Sequence, residues 1–351
     1  MSGLITNWEK VETLDDLAAL IRHRLVQLRA MYGKASDLPI YPIPIERDQF
    51  SGKNGALRVV LAQTLLPKQA DFTKSDPCLN NSPTYRALHR CHLSSLCSLI
   101  LTQLKAQKSV ERGREGADEP VQKSTADLII LPELTVHPDD VWILKQLSEK
   151  TKAMIFFGLT PIFRSGVGLV NTACWLIPNK RTTGRSWIVR YQGKHHPTVN
   201  EKAIGLQGWR PYQVVIELSL SASGERGYRI TGAVCYDATD LNLAADLRNV
   251  SDLFVITAMN RDIATFDNMV AALHYHMYQH VVLVNTGEFG GSTVQAPFKE
   301  QYDKLITHHH GGGQIGISIF DVDINDFGPI ANTAKPPREK KGKPAGFTRF
   351  N

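Results

Sequence analysis

The sequence predicts a layered α/β domain over roughly residues 57–330. Short apolar runs rich in β-branched residues begin at "LRVVLAQ" and recur along this region, and stretches with helical spacing alternate with them. With 351 residues and 42% hydrophobic content, the chain is also large enough to bury an extensive core. Strands and helices that alternate in this way stack into layers around a shared core.

Nine strands and four helices are predicted in this region. The strands are 57–63, 126–132, 153–160, 171–177, 187–191, 228–234, 252–258, 280–285 and 315–320. The helices are 84–106, 139–150, 239–250 and 265–279. The stretch "AQKSVERGREGADEPVQK" at 106–123 is charged and lacks apolar periodicity, so we expect a surface loop or a disordered insertion there.

Two flanking regions differ in composition from the predicted domain at 51–330. Residues 1–50 are expected to be an extension, with an amphipathic helix near Thr13–Met31 followed by a proline-rich linker. Residues 331–351 are basic, and the stretch from Lys335 to Arg349 carries five of the six net positive charges. We expect a disordered, solvated tail, with contact to nucleic acid as the less favoured alternative.

Composition also predicts the compartment. The chain has no run of about 18 apolar residues that could span a bilayer, and its first residues lack the basic and apolar regions of a secretory signal. The five cysteines are odd in number and have no CxxC spacing. We therefore expect a cytoplasmic protein with reduced thiols and no membrane association.

Cys235 lies at the point where a predicted strand gives way to a predicted helix, in "GAVCYDATD". A single buried cysteine is ordinarily a small core residue. A cysteine on a strand-to-helix turn is instead close to backbone N–H groups that favour its thiolate, which makes it a candidate nucleophile.

Two further candidates also follow predicted strands. Glu133 ends the apolar run "ADLIILPEL", and Lys194 follows "WIVRYQG", with Glu201 seven residues later. Taken alone, each is more often an exposed or solvated residue.

Together these motifs resemble the nitrilase superfamily of carbon–nitrogen hydrolases, over about residues 57–330. The similarity includes "LRVVLAQ", "ADLIILPEL", "GKHHPTVNE" and "GAVCYDATD", and downstream "DLFVITAMNRD" and "VVLVNTGEFGGSTVQAPF". The resemblance implies an αββα four-layer sandwich. It also implies a homodimer or higher homo-oligomer, with a second subunit across helices that flank the cysteine segment.

The resemblance implies a site in which Glu133, Lys194 and Cys235 are catalytic and Glu201 supports the lysine. Lys194 is expected to favour a Cys235 thiolate, and Glu133 to move protons. Lys194 and the backbone N–H of Tyr236 are expected to stabilise an oxyanion. The implied reaction is hydrolysis of a small amide or carbamoyl compound through a thioester, with no metal and no organic cofactor.

Residues beside these motifs are candidates for the substrate pocket: His195, His196, Asp237 and Asn260. The Tyr-Asp pair after the cysteine is similar to amidase branches, whereas nitrile-cleaving branches commonly have Trp and Glu there. The next residues, "ATDLN", depart from the family's frequent Phe-Pro, which leaves the identity of the substrate open.

Two other functions stay open. The same thioester could pass its acyl group to an amine or another acceptor in place of water. Alternatively, the extension and the basic tail could belong to an interaction or regulatory module of a larger assembly, for example a bacterial defence protein.

Two groups of histidines suggest metal sites that we do not favour. In "THHHGGG" at 307–313 the histidines are consecutive and point in different directions, which makes a shared metal site awkward. His274, His276 and His280 flank a helical stripe with core spacing, and we expect them to pack beside that core.

Overall fold

The computed structural model describes residues 11–32, 38–115, 125–180, 185–220, 228–323, 326–327 and 338–347. Contacts divide the chain into two compact units, residues 1–38 and residues 39–351. The first unit contains helix α1 (Leu14–Tyr32), close to the predicted position. Thr13 and Asp16 form a reciprocal cap at its start, because each backbone N–H donates to the other side chain, at 2.9 and 3.1 Å.

The described part of the second unit contains fourteen strands and six α-helices. In its first half these are β1 (Ile40–Arg47), β2 (Leu57–Gln63), α2 (Pro83–Glu115), β3 (Leu128–Ile130), α3 (Val141–Thr151), β4 (Met154–Arg164), β5 (Gly168–Lys180), β6 (Arg185–Gly193), α4 (Val199–Ala203) and β7 (Leu206–Gln207). In its second half they are β8 (Gln213–Leu220), β9 (Tyr228–Val234), α5 (Leu241–Leu247), β10 (Leu253–Thr257), α6 (Ile263–His276), β11 (His280–Val284), β12 (Ser292–Gln295), α7 (Gln301–Lys304), β13 (Leu305–His309) and β14 (Gly316–Val322).

The strands form two mixed sheets. In the described chain the first has the order β1-β8-β9-β10-β11-β12-β13, and the second has the order β14-β2-β3-β4-β5-β6, with β7 beside β5. Strands β9, β10 and β11 are parallel to one another, as are β2, β3 and β4. The strands that precede Glu133 and Cys235 therefore lie inside parallel blocks, whose carboxyl ends commonly carry functional residues.

The two sheets pack face to face, and the alternation of side chains explains why the strands are apolar on both faces. Leu57, Val59 and Leu61 of β2 join the core between the sheets, whereas Val60 and Ala62 face the helices. Gly232 of β9 is required in that core, because a Cβ there would lie 2.8 Å from the ring of Phe156 on the opposite sheet.

Helices cover the outer faces of both sheets. Apolar residues of α2 and α3 pack against the second sheet, and α6 packs against β11 and β12 of the first. The arrangement is an αββα sandwich, which confirms the predicted fold class.

The structure differs from the prediction at the expected proline-rich linker. Residues 40–47 form β1, the outermost strand of the first sheet, which pairs in parallel with β8. Pro42 and Pro44 are two residues apart, so both lack the N–H on the same side of the strand, the side on which β1 has no neighbouring strand among the described residues. Ile43 and Ile45 are buried, and the structure therefore places this segment in the sandwich.

The predicted loop after residue 106 was also partly wrong, because α2 continues to Glu115. Glu111 explains the extension, since its carboxylate binds the guanidinium of buried Arg58 at 2.8 and 3.0 Å. The remainder of the predicted loop, 116–123, lies outside the described residues.

The predicted disordered tail is ordered in the part that is described, residues 338–347. The Lys341 N–H donates to Pro297, and the Lys341 carbonyl accepts from the hydroxyl of Tyr278 at 2.7 Å. Arg338 stacks over the ring of buried Phe298. Aromatic packing and cation–π contacts thus fix this segment to the domain. Lys335 and Arg349 lie outside the described residues, and the nucleic-acid contact stays a prediction.

Several strands were missed by the sequence prediction: β7, β8, β12 and β13. The predicted helix at 239–250 is shorter, because a 3₁₀ turn at Cys235–Thr239 precedes α5. No helix among the described residues is long and apolar enough to cross a bilayer.

Candidate active site

Glu133, Lys194, Glu201 and Cys235 meet at one end of the sandwich. Glu133 follows β3, Lys194 follows β6, and Cys235 directly follows β9. All four side chains are buried, and all four line a cavity of about 440 Å³. The fold therefore brings together four residues that are separated by up to about a hundred positions in the sequence.

Lys194 lies between two carboxylates. Its Nζ donates to Glu133 Oε1 at 2.8 Å and to Glu201 Oε2 at 2.7 Å. Glu201 is itself fixed at the start of α4, because its side chain accepts from the Thr198 N–H while the Thr198 hydroxyl accepts from the Glu201 N–H. The ammonium is thus held rigidly, which suits a group that must stabilise charge at a defined point.

Glu133 is held from three directions. Besides Lys194, its Oε1 accepts from Asn171 Nδ2 at 2.7 Å, and its Oε2 accepts from the backbone N–H of Met259 at 2.8 Å. Glu133 also lies near enough to Cys235 for its charge to raise the pKa of the thiol. A carboxylate this close to a thiol can serve as its proton acceptor.

Asn171 was missed by the sequence prediction. Its Nδ2 donates both to Glu133 Oε1 at 2.7 Å and to Glu201 Oε1 at 2.5 Å. Because carboxylate oxygens only accept, the amide nitrogen must face them. Asn171 Oδ1 is buried with no hydrogen-bond partner among the described residues. Its position at the start of a predicted strand, in "NTACWLI", gave no signal of this role.

The backbone at Cys235 has a left-handed conformation, with φ of 48°. Such a φ is uncommon for a residue other than glycine and is found often at functional turns. Leu134, directly after Glu133, has a φ of 57°. The two candidate chemical groups therefore lie at sharp turns that end their strands.

The electrostatics correct the expectation of a resting thiolate. Burial raises the pKa of the Cys235 thiol well above its usual value, and the charge of Glu133 raises it further, although Lys194 opposes both effects. Burial also raises the pKa of Glu133, with a further increase from Glu201. The raised pKa favours a neutral Cys235 thiol in the resting site.

Lys194 remains charged. Burial would lower its pKa, but Glu133, Cys235 and Glu201 outweigh burial, and the pKa of Lys194 is raised. For Glu201 the balance is similar: burial would raise its pKa, yet Lys194 and the hydrogen bonds to this carboxylate lower it. The site thus contains a permanent ammonium with a permanent carboxylate beside it.

Three of the four predicted pocket residues do not line the cavity. The backbone N–H groups of His195 and His196 donate to the buried carboxylate of Asp237 at 2.8 and 2.7 Å, and Arg210 pairs with the same carboxylate. Asp237 therefore joins the cysteine turn to the lysine segment. Only Asn260 among the four lines the cavity.

Tyr236, whose backbone N–H was predicted to stabilise an oxyanion, also lines the cavity. The remaining wall includes residues that the sequence did not indicate: Gln69, Phe72, Asn200, Arg261 and Phe266. They come mainly from loops and from the first residues of helices, where periodicity carries no information about a pocket. The histidines at 308–310 do not line the cavity. Among the described residues, no group of three or more His, Cys, Asp or Glu side chains could hold a metal ion.

Among the comparisons with known proteins, only the comparison with solved structures finds matches. No family model matches the chain, and no curated protein sequence matches it. Among solved structures, the nitrilase-superfamily branch 10 member Nit3 of Saccharomyces cerevisiae is 15% identical, with a TM-score of 0.51 over 79% of this chain and 96% of Nit3. The chain has the nitrilase-superfamily fold.

A second structure with this fold is a CN-hydrolase superfamily protein from Xanthomonas campestris that has an arsenic adduct in its active site. It is 16% identical, with a TM-score of 0.50 over 75% of this chain and 90% of that protein. At such low identity, the similarity to nitrilase-superfamily structures concerns the fold. The chemistry of this chain must be argued from its own site.

Proposed function

We propose that this protein hydrolyses the C–N bond of a small amide or carbamoyl compound through a thioester on Cys235. The observation that carries the proposal is that one buried thiol and one buried carboxylate line the same cavity as an ammonium held by two carboxylates. A thiol nucleophile, a proton carrier and a fixed positive charge are the groups that acyl transfer requires.

The first half of the reaction forms the thioester. Glu133 accepts the thiol proton as the sulfur attacks the carbonyl carbon, and the carbonyl oxygen becomes an oxyanion. Lys194 Nζ and the backbone N–H of Tyr236 stabilise that oxyanion, and one such donor contributes roughly 3 kcal/mol. Protonated Glu133 then gives its proton to the nitrogen as the C–N bond breaks, so that the amine or ammonia leaves neutral.

The second half releases the acid. Glu133 accepts a proton from water, and the hydroxide attacks the thioester carbon. The C–S bond breaks, and Glu133 returns the proton to the sulfur, which restores the resting thiol. Glu201 and Asn171 do not exchange protons in this scheme, and their role is to hold Lys194 and Glu133 in place.

The reaction class can be tested with a panel of small primary amides and carbamoyl compounds, scored by release of ammonia. The Cys235→Ala variant should lose turnover while it keeps the melting temperature and the circular dichroism of the parent. Cys174→Ala is the matched control, because Cys174 is equally buried but lies in β5 among core residues. Turnover retained in Cys235→Ala would overturn the proposal.

A second experiment distinguishes hydrolysis from transfer of the acyl group to another acceptor. Hydroxylamine, added during turnover, competes with water for the same thioester. If water is the natural acceptor, the free acid forms without any added amine, and hydroxylamine diverts only part of the product. A product that forms only when an amine is present would assign acyl transfer instead.

A further inference from the structure

A chain of three buried polar side chains lies beside the active site, and the proposed reaction uses none of them. Gln63 ends β2, Asn285 follows β11, and Ser292 begins β12. Each of the three is at most 3% exposed. Polar groups at this depth are destabilising unless they are hydrogen-bonded, and a connected set of them makes the surrounding fold rigid.

Asn285 binds both backbone polar groups of Asn260, a residue that lines the cavity. Its Oδ1 accepts from the Asn260 N–H at 2.8 Å, and its Nδ2 donates to the Asn260 carbonyl at 2.7 Å. Two hydrogen bonds from one planar carboxamide fix both the position and the direction of this backbone segment. Asn285 itself does not line the cavity.

The Gly-Gly-Ser turn at 290–292 holds Asn285 in its orientation. Gly290 has a φ of 79°, which favours glycine, and its carbonyl accepts the second Nδ2 proton of Asn285 at 2.6 Å. Ser292 Oγ accepts from the Asn285 N–H at 2.9 Å and donates to Gln63 Oε1 at 2.7 Å. Because Gln63 belongs to the second sheet, the turn ties Asn285 to both sheets.

The backbone that Asn285 holds also carries a hydrogen bond to the proposed proton carrier. Asn260 directly follows Met259, whose N–H donates to Glu133 Oε2 at 2.8 Å. Burial raises the pKa of Glu133, and a hydrogen bond to the ionised carboxylate opposes that increase. Burial likewise raises the pKa of the Cys235 thiol, and the Met259 N–H acts in the opposite direction.

We propose that Asn285 is a positioning residue, which holds the backbone of 259–260 so that the Met259 N–H is directed at Glu133. The assignment rests on the proposed function, because it takes Glu133 as the proton carrier. Asn285 touches neither the cavity nor the reacting atoms, and its effect reaches them through one backbone N–H.

The other charged or titratable groups around Glu133 do not depend directly on Asn285. They are Lys194, Glu201 and Cys235. Among the described residues, the side chain of Asn285 hydrogen-bonds only to the backbones of Asn260 and Gly290. A change at Asn285 that alters the ionisation of Glu133 therefore reports the Met259 N–H.

The first test compares the pH–rate profiles of the parent and Asn285→Ala. Without the carboxamide the Met259 N–H is no longer held against Glu133, and the acid limb should move to higher pH by about one unit. The maximal kcat should fall about tenfold. Ser292→Ala, which removes only the acceptor of the Asn285 N–H, should move the limb in the same direction by less.

Gln279→Ala is the matched control for this test. Gln279 is also a fully buried carboxamide, hydrogen-bonded to Ser251, but it does not line the cavity. This variant should lower the melting temperature and leave the acid limb in place. The same result in Asn285→Ala would show a purely structural role and overturn the proposal. If Asn285→Ala does not fold, an unchanged limb in Ser292→Ala has the same meaning.

The second test needs no substrate and so separates this inference from the proposed function. It follows the alkylation of Cys235 by iodoacetamide as a function of pH, with the modified residue mapped. Asn285→Ala loses a group that favours the thiolate, so its alkylation should require a higher pH, whereas Gln279→Ala should follow the parent. Coincident profiles for the parent and Asn285→Ala would overturn the positioning role. A shifted profile in a protein that hydrolyses no amide would contradict the proposed function alone.

Discussion

The carboxylate of Asp237 accepts the backbone N–H of His195 at 2.8 Å, which joins the residue after the lysine to the turn that carries the cysteine. Asp237 is two residues beyond Cys235 and is almost fully buried. The distance between sulfur and ammonium is therefore set by a direct tie between two loops from different sheets.

Replacement of Asp237 by alanine should lower both stability and turnover. The change removes the acceptor of two partly buried N–H groups, at a cost of about 0.5–1.5 kcal/mol each, and takes away the partner of Arg210. Thermal unfolding and kcat measure the two effects. Asp237→Asn keeps one acceptor and should be intermediate, and equal kcat in all three proteins would show that the tie does not position Lys194.

Asn171→Ala should lower kcat with a smaller effect on KM. It removes hydrogen bonds to two carboxylates. If the transition state loses the equivalent of one hydrogen bond to a charged group, about 1.5–3 kcal/mol, kcat falls by roughly 10–100-fold. The isosteric Asn171→Asp adds a third carboxylate and should raise the pKa of Glu133 further, which a pH–rate profile detects. A profile identical to that of the parent would contradict the proposed contact.

Gly158→Ala should displace the backbone of Glu133, although Gly158 itself does not line the cavity. A Cβ at residue 158 would lie 2.4 Å from Glu133 Cα and from the Leu134 nitrogen, so that the backbone of this turn must move. We expect a loss of about 1–3 kcal/mol in the free energy of unfolding, together with reduced kcat. Gly113→Ala is the control, because Gly113 lies in α2 with open space around it, and there alanine should stabilise the helix by about 0.5–1 kcal/mol.

The acid limb of the pH–rate profile should report Glu133. The proton acceptor must be ionised, so activity falls as pH decreases through its pKa, which burial raises above the ordinary value of 4.5. Glu201→Gln removes a repulsion that raises this pKa, and the limb should move to lower pH. Glu149→Gln, on the surface of α3, should leave it unchanged. A limb below pH 4.5 in the parent would exclude Glu133 as the base.

The sequence predicted the parts of the site that end strands. Glu133, Lys194 and Cys235 each follow an apolar run, and parallel strands bring such ends together. Asn171 could not be found in this way, because it lies inside a strand and its role depends on contacts across the fold. Adjacency in sequence also misled the prediction for His195 and His196, whose backbone, rather than side chains, makes the relevant contacts.

Two further features, strand β1 and the protonation state of Cys235, could not be predicted from local sequence patterns. Prolines ordinarily exclude a central strand, and β1 tolerates them because it is the outermost strand of the described sheet. The protonation state of Cys235 depends on burial and on two carboxylates more than thirty residues away in sequence, and no local motif reports these quantities.

Rapid-quench intact-mass spectrometry during turnover of the best amide substrate tests the proposed thioester most directly. We expect a transient species heavier than the protein by the acyl group, mapped to Cys235 and removed by hydroxylamine. It should be absent in Cys235→Ala and present in Cys174→Ala. Turnover without any acyl adduct on Cys235, or an adduct on another residue that persists in Cys235→Ala, would exclude a thioester on Cys235.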